Sequence, residues 1–220
     1  MQVIAIDGPA GSGKSTVGRA LADRLGLEYL DTGAMYRGVA FAALRRGMDP
    51  ADTEPVAHLM EHLELEVGDR SLMVGGVDAS IEIRGPEVTR AVSTVAANPA
   101  VRAELRSRQR EWAVGHGGGV IEGRDIGTVV FPDADLKVYL TASPEVRAER
   151  RSKEVADLDY ETVARDIAPR DALAQGREDS ALPAAEGAVL VDTSDRTVDE
   201  IVDDILRLLE EATGGGGAVS

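Results

Sequence analysis

Short apolar runs alternate with longer segments of helical periodicity along most of the chain. The apolar runs are VIAI at 3–6, LEYL at 27–30, VI at 120–121, LKVYL at 136–140 and AVLV at 188–191. The helical pattern covers residues 13–25 before Gly26, and residues 35–46 before Gly47. Strands joined by helical crossovers form a parallel sheet that is covered on both faces. The pattern therefore predicts a three-layer α/β fold built on a five-stranded parallel sheet.

Residues 63–83 depart from this rhythm. LELEV at 63–67, SLMV at 71–74 and SIEI at 80–83 alternate apolar and polar positions with a period of two, and turn residues separate them. We expect these runs to form a small antiparallel sheet. Since no Pro- or Ser-rich linker flanks the region, the pattern favours an insertion over an independent domain.

The C-terminal part of the chain predicts a long amphipathic helix. Thr197 and Glu200 have the spacing of a capping box, and apolar residues recur at helical spacing from Val198 to Leu209. The run GGGGAVS at 214–220 is expected to be a disordered tail. One domain is expected over residues 1–213.

Composition narrows the classes of protein and of site. The 220 residues contain no cysteine, so disulfides and thiolate metal sites are excluded. No run approaches the roughly 18 apolar residues that span a bilayer, and no signal-peptide pattern is present, so we expect a cytoplasmic protein. The net charge of −15 disfavours binding to nucleic acid or to anionic membranes. A monomer is expected because no apolar surface stripe is evident.

The sequence GPAGSGKST at 8–16 matches the phosphate-binding pattern G-x-x-x-x-G-K-[ST] between a predicted strand and a predicted helix. Glycines let successive backbone N–H groups converge on phosphate oxygens, and the helix that follows adds its positive dipole end. Lys14 is expected to bridge the β- and γ-phosphates of ATP, and Ser15 to ligate Mg²⁺. The candidate ATP-binding residues are Gly8, Pro9, Ala10, Gly11, Ser12, Gly13, Lys14, Ser15 and Thr16.

This loop alone does not distinguish a kinase from a nucleotide switch or a motor. An Asn-Lys-x-Asp element, which reads guanine in switches, is absent, because none of the three lysines follows an asparagine. VIE at 120–122 and Asp192 are only weak candidates for the acidic strand end of a motor ATPase. A kinase needs a second anion site that faces the first. Polar residues suited to it are Thr32, Tyr36, Arg37, Ser93, Arg102, Arg124, Asp125, Arg170 and Arg177.

The motifs that carry these residues give the chain a resemblance to bacterial cytidylate kinases. IDGPAGSGKST, DTGAMYR, AVSTVAANPAVR, EGRDIGTVVFPDA and VYLTAS carry it, and it runs from about residue 2 to residue 209. The resemblance implies that MgATP donates its γ-phosphoryl group to CMP or dCMP, with a monophosphate-binding insertion at about 63–98 and a helical lid at about 144–177.

The resemblance also implies roles for single residues. Thr32, Tyr36 and Arg37 would lie near the monophosphate, as would Arg124, Arg170 and Arg177. Ser93, Arg102 and Asp125 would read the base. Cytosine offers a 4-amino donor beside the N3 and O2 acceptors. A carboxylate accepts from the amino group, whereas the 4-carbonyl of uracil would be mispaired against it.

The segment after the fourth predicted strand carries the remaining cationic candidates. Ser143 would cap a helix whose Arg147, Arg150 and Arg151 share one face. The resemblance implies that Arg147 and Arg151, with Lys14, are catalytic, and that the lid arginines close over the transferring phosphoryl group. Ion pairs with Glu145, Glu149 or Glu154 are the alternative for these arginines. Elsewhere, Glu104 and Arg108 have i,i+4 spacing, and Arg106, Arg108 and Arg110 are expected to form a solvated helix face.

One departure and two alternatives stay open. In RDALAQGR, Ala174 stands where the resemblance implies an aspartate that contacts the ribose. The hypothesis that follows is weak discrimination between CMP and dCMP.

A kinase of similar build that acts on UMP, AMP or an alcohol such as shikimate is one alternative function. The other is a nucleotide-binding protein without catalytic activity.

Overall fold

The computed structural model describes residues 1–154 and 184–214. Its strands are β1 Gln2–Asp7, β2 Tyr29–Asp31, β3 Leu65–Val67, β4 Leu72–Val74, β5 Val77–Asp78, β6 Gly118–Gly123, β7 Leu136–Thr141 and β8 Val189–Asp192. Its α-helices are α1 Lys14–Leu25, α2 Thr32–Arg45, α3 Thr53–Met60, α4 Pro86–Val95, α5 Pro99–His116, α6 Pro144–Glu154 and α7 Val198–Gly214. None of the helices within these residues is long and apolar enough to cross a membrane.

Five parallel strands form the main sheet in the order β2-β6-β1-β7-β8, which confirms the predicted fold class. The N-terminal strand β1 lies at its centre. Ile4 is in register with Val120 of β6 on one side and with Leu136 of β7 on the other. Strand order reverses beside β1, so the carboxyl ends of β1, β2 and β6 surround one crevice, where open α/β sheets bind their ligands.

Alternate residues of β1 serve two separate cores, one on each face of the sheet. Val3 and Ala5 pack on the side of α2 to α5, while Ile4 and Ile6 pack on the side of α1 and α7. All four side chains are at most 3% exposed. Burial on both faces explains why β1 is a continuous apolar run rather than an alternating one.

The inserted antiparallel sheet is present, but its third strand is not the predicted one. Leu65 is in register with Val74 across β3 and β4, and Gly75 and Gly76 form the hairpin turn that leads to β5 at Val77. The run at 80–83 instead enters a 3₁₀ turn, Glu82–Arg84, with Ile81 exposed and Ile83 buried. Both turn glycines have positive φ, so the chain reverses within two residues. Residues 77–78 therefore pair with the short strand β4, and the run at 80–83 begins beyond the end of that strand at Leu72.

Capping explains the ends of two predicted helices. The α2 helix begins at Thr32 rather than at residue 35, because the Asp31 carboxylate accepts the Ala34 N–H at 3.0 Å. The predicted capping box of α7 is confirmed: Glu200 accepts the Thr197 N–H at 2.8 Å, and Thr197 Oγ1 accepts the Glu200 N–H at 3.3 Å. Residues 215–220 of the predicted tail and 155–177 of the predicted lid lie outside the described residues.

Candidate active site

A cavity of about 360 Å³ lies at the crevice between the carboxyl ends of β1, β2 and β6. Its volume falls within the range of small-molecule sites. The walls come from the loop after β1 with the first turns of α1, the first turns of α2, one side of α4 with the start of α5, and the loop after β6. Predicted residues that line it are Ala10, Gly11, Gly13, Lys14, Ser15, Thr16, Thr32, Tyr36, Arg37, Ser93, Arg102, Arg124 and Asp125. The structure thus brings the two predicted anion sites to one cavity.

The loop at 8–13 curls tightly between β1 and α1, and its glycines are required by space and by φ. A Cβ on Gly8 would lie 2.1 Å from the Leu140 carbonyl oxygen, which belongs to the neighbouring strand β7. Gly13 has a φ of 85° and stands directly before α1, without a side-chain cap on that helix. The first N–H groups of α1 are therefore left to face a ligand, as in an anion-binding helix terminus.

Lys14 is the first residue of α1 and points its ammonium back over the loop. Its Nζ donates to the Pro9 carbonyl oxygen at 2.7 Å. Burial, with a further contribution from the Arg124 charge, lowers the pKa of Lys14 to about 8. A phosphate placed between Lys14 and Arg124 would neutralise two cations that repel each other, so the site favours an anionic ligand.

Ser15 and Glu122 form a hydrogen-bonded polar pair in the cavity lining. The Ser15 hydroxyl donates to Glu122 Oε1 at 2.6 Å, and Glu122 Oε2 is buried without a hydrogen-bond partner among the described residues. Burial, with the nearby Asp31 charge, raises the pKa of Glu122 to about 7. Hydroxyl and carboxylate oxygens are the hard ligands that Mg²⁺ takes together with phosphate oxygens and water. The pair therefore fits a Mg²⁺ ion carried in with a nucleotide.

The first turns of α2 supply one wall of the second anion site. Buried Thr32 donates its hydroxyl to the Glu122 carbonyl oxygen at 2.7 Å. Arg37 extends towards the inserted region, where its Nη1 donates to the Ile83 carbonyl oxygen at 3.2 Å and to Thr89 Oγ1 at 3.1 Å. These contacts hold the guanidinium at the cavity wall between α2 and α4.

The opposite wall is the loop after β6, which carries Arg124 and Asp125. Its next two N–H groups, from Ile126 and Gly127, both donate to the buried Asp7 carboxylate at 2.8 Å. Burial raises the pKa of Asp7 to about 6, against the opposing effect of the two N–H groups. Asp7 is the last residue of β1, so one carboxylate joins the strand that leads into the phosphate loop to the loop opposite.

Asp125 is paired with two arginines of α5, one of which was expected to be in solvent. Oδ2 of Asp125 accepts from Arg102 Nη2 at 2.9 Å and from Arg106 Nη2 at 3.3 Å. The prediction of a solvated face is therefore wrong for Arg106, whose side chain is 16% exposed. Residues four apart lie on the same helix face, and the Asp125 loop crosses α5 at that face.

The same prediction is also wrong for Arg108 and incomplete for Arg110. Arg108 makes the expected pair with Glu104 at 2.8 Å, yet it also donates to the carbonyl oxygens of Met60 and Leu63. Arg110 is exposed, but it donates to the Val129 and Val130 carbonyl oxygens. Both arginines thus satisfy carbonyl groups of neighbouring loops, which a charge pattern along one helix cannot reveal.

The predicted lid arginines are described only in part. The Arg147 Nη1 donates to the Ala10 carbonyl oxygen at 3.4 Å, so α6 lies against the phosphate loop. Arg150 binds Thr193 twice, through the hydroxyl at 2.8 Å and the carbonyl oxygen at 2.7 Å. Arg151 belongs to α6, but its side chain lies outside the described residues, as do Arg170, Ala174 and Arg177.

Several residues contribute to the site without having been predicted in it. Arg19, Asp31, Arg84 and Glu122 line the cavity, and Asp7, Arg106 and Thr193 hold the segments around it. Asp7 is the last residue of β1 and Glu122 the last but one of β6, and a carboxylate at the carboxyl end of a central strand is a signal that could have indicated them. Thr193 likewise follows β8; its buried hydroxyl donates to the Ser12 carbonyl oxygen at 3.0 Å. Arg106 carries no such signal, because its role depends on which loop crosses α5.

Comparison with known proteins gives a consistent result over nearly the whole chain. A family model described as cytidylate kinase matches residues 4–211. A cytidylate kinase of Mycolicibacterium paratuberculosis is 51% identical over 219 residues, covering 95% of each chain. One of Nocardia farcinica is 48% identical, covering 98% of this chain and 97% of the relative.

A likeness among solved structures concerns the fold alone. An uncharacterized protein from Eubacterium ventriosum superposes with a TM-score of 0.54 at 13% identity, covering 96% of this chain and 99% of that protein. At so low an identity, the match supports the α/β architecture and carries nothing about the chemistry.

Proposed function

The chain belongs to the cytidylate kinase family, and on that premise we propose that it transfers the γ-phosphoryl group of ATP to CMP and dCMP. One observation carries the proposal: a phosphate-binding loop and a carboxylate–guanidinium pair suited to cytosine face the same cavity. The products are ADP and CDP or dCDP. A cytoplasmic location and a monomeric state stay predictions.

ATP is proposed to bind along the loop at 8–16, with its phosphates under the N-terminus of α1. Lys14 then leaves the Pro9 carbonyl oxygen and follows the β- and γ-phosphates. Ser15, with Glu122 beside it, would hold Mg²⁺, which supplies charge neutralisation to the transferring group. Oε2 of Glu122 is buried and makes no hydrogen bond of normal geometry within the described residues, although the Tyr29 hydroxyl lies nearby, and this supports the assignment.

CMP is proposed to bind across the cavity, with its phosphate towards Arg37, Arg124 and the Thr32 turn. The base lies against Asp125, Arg102 and Ser93. A carboxylate only accepts hydrogen bonds, so Asp125 suits the 4-amino group of cytosine and opposes the 4-carbonyl of uracil. Guanidinium and hydroxyl donors suit the N3 and O2 acceptors.

The chemical step is proposed to be a direct in-line transfer between two anions. The acceptor is already charged, so the chain has no need of a strong general base. Its residues instead align the two phosphates and neutralise the charge that keeps them apart, with Lys14, Arg37 and Arg124 in these roles. Arg147 approaches from α6 beside the loop and would help to exclude water.

A single assay tests this function. Purified protein and MgATP are mixed with CMP, dCMP, UMP, AMP or GMP, and ADP release is measured. We expect CMP and dCMP to be used far better than the other three, and the Lys14→Met variant to lose about 10²-fold or more in kcat. Absence of CMP-dependent ADP release would refute the proposal. Equal use of CMP and dCMP would support the hypothesis based on Ala174.

A further inference from the structure

Arg106 approaches the base-reading carboxylate from behind the cavity. Its Nη2 lies 3.3 Å from Asp125 Oδ2, yet Arg106 does not line the cavity, whereas Arg102 and Asp125 both do. Among the described residues, Asp125 is the only acceptor that Arg106 has, and the buried Nε of Arg106 has no partner. Because the Arg106 guanidinium is largely buried and donates only to Asp125 among the described residues, its main effect is to hold that carboxylate in place.

Both ion pairs of Asp125 fall on the same oxygen. Arg102 and Arg106 donate to Oδ2, and Oδ1 accepts no hydrogen bond from any described residue. The last side-chain torsion of an aspartate has a broad, roughly two-fold distribution. The orientation of its carboxylate is therefore fixed only by hydrogen-bond partners. Two donors from successive turns of α5 hold Oδ2 and thereby present Oδ1 to a ligand.

Arg102 alone would have to meet two demands. It must hold Asp125, and in the proposed CMP complex it must also donate to the pyrimidine. Arginine carries its five N–H donors in a rigid fork, so a guanidinium turned to satisfy the base loses alignment with the carboxylate. A second cation on Oδ2 removes this conflict, because Asp125 stays held while Arg102 serves the base.

We propose that Arg106 is a specificity-determining positioning residue, which fixes the Asp125 carboxylate so that its free oxygen selects a pyrimidine with a 4-amino group over one with a 4-carbonyl group. The inference rests on the proposed cytidylate kinase function. Without Arg106, the carboxylate turns more freely. CMP then loses a fixed acceptor, while UMP loses part of the repulsion at its carbonyl, so the preference for CMP falls from both sides.

The test compares Arg106→Met, which keeps the aliphatic stem, with Arg106→Lys, which keeps the charge. Arg108→Met is the matched control, because Arg108 lies on the same helix and binds Glu104 and two carbonyl oxygens but not Asp125. For each protein, kcat and KM are measured with CMP and with UMP, and the Kd of each nucleotide is measured by calorimetry without ATP. Thermal melting reports whether each variant folds.

We expect Arg106→Met to lower the ratio of kcat/KM for CMP to that for UMP by about tenfold or more, mainly through a higher KM for CMP. The Kd ratio should fall in parallel. Arg106→Lys should recover most of the CMP-to-UMP ratio. Arg108→Met should lower the melting temperature and leave that ratio unchanged. A role in folding alone would move the melting temperature of both methionine variants and leave the nucleotide ratio intact.

Two results overturn the inference. One is an Arg106→Met ratio within about twofold of that of the unmodified protein, and the other is an equal fall of the ratio in Arg108→Met. Failure of the proposed function looks different, because the unmodified protein then shows no CMP-dependent ADP release. The calorimetric Kd ratio still decides in that case whether Arg106 sets the choice of base.

Discussion

At the scale of single residues, the site is held together by a few buried carboxylates that touch more than one loop. Asp7 shows this most directly. It ends the central strand, and it accepts the N–H groups that follow Arg124 and Asp125. It therefore fixes the position of the loop proposed to read the base relative to the phosphate loop, although neither substrate is proposed to contact Asp7.

The buried Asp7 carboxylate predicts a dependence of stability on pH. Its pKa rises from 3.8 to about 6 on folding, because burial disfavours the charged form. The free energy that protonated Asp7 contributes to folding is fully present below the unfolded pKa and is lost as the pH rises through the folded pKa. Between about pH 4 and pH 8 this loss is of the order of 3 kcal/mol.

The Asp7→Asn variant lacks this titration. Relative to the variant, the free energy of unfolding of the unmodified protein should therefore fall as the pH rises over that window. Urea denaturation of both proteins at several pH values measures it. The asparagine accepts with one oxygen only, so a constant loss from one N–H group is expected in addition. A difference between the two proteins that does not change with pH would contradict the prediction.

The placement of residues at the cavity was predictable from sequence where a motif fixes the local backbone. The phosphate loop is the example, because its glycines, lysine and serine act within nine consecutive positions. Arg106 is the opposite case. Its charge and spacing match an ordinary solvated helix face, and only the path of a loop 19 residues further along the chain places a carboxylate beside it.

At the scale of elements, the loop after β8 packs against the phosphate loop and hydrogen-bonds to it through Thr193. Thr193 is 1% exposed, and its hydroxyl lies within hydrogen-bond distance of the Ser12 and Thr141 carbonyl oxygens. Arg150 of α6 donates to the same hydroxyl and to the Thr193 carbonyl oxygen. The phosphate loop, β7 and α6 therefore all contact one threonine.

The Thr193→Val variant tests this support. Valine keeps the shape but removes the hydroxyl partner of the Ser12 carbonyl oxygen and of one Arg150 N–H group, while the Thr141 carbonyl oxygen keeps the Thr193 N–H. The loss should cost about 1–3 kcal/mol of stability. Since Ser12 belongs to the phosphate loop, we expect KM for ATP to rise more than KM for CMP. Thermal melting and steady-state kinetics measure the two effects.

Thr128→Val is the matched control for that experiment. The Thr128 hydroxyl is buried without a partner among the described residues, so the same substitution removes no hydrogen bond there. It should be neutral or slightly stabilising. An equal loss of stability in both variants would show that the change from threonine to valine acts through packing, and that the hydrogen bonds of Thr193 contribute little.

Element types were predictable to the extent that local pattern decides them. The five core strands, the first two strands of the insertion and the α7 capping box all follow from periodicity and capping residues. The prediction of a third inserted strand at 80–83 was wrong, because the turn at Gly75 and Gly76 brings residues 77–78 into pairing with β4 instead. There, hairpin geometry outweighed the alternation of side chains.

At the scale of the whole molecule, the order of the strands explains how distant motifs reach one cavity. Strand β1 pairs only with β6 and β7, which follow it by more than 100 residues, and β2 pairs with β6 rather than with β1. The phosphate loop thus lies between the loop after β6, which carries Arg124 and Asp125, and α6, which follows β7. No single segment of the chain contains the site.

The same topology predicts that the N-terminal half cannot fold by itself. A fragment of residues 1–117 holds β1 and β2 but neither β6 nor β7, so no pair of the main sheet forms within it. Ile4 and Ile6 would also lack most of their core, because β7, β8 and α7 supply one face of it. Unpaired central strands leave buried N–H and carbonyl groups unsatisfied.

We expect the fragment of residues 1–117 to retain some helix from α2 to α5 but to show no cooperative thermal transition. Co-expression with a fragment of residues 118–220 should restore the transition, since every missing strand then becomes available. Circular dichroism and calorimetry of the two preparations decide the outcome. Cooperative melting of the N-terminal fragment alone would mean that the insertion and its neighbouring helices fold as a separate unit. The loop that carries Arg124 and Asp125 would then be added to a preformed half rather than being built together with it.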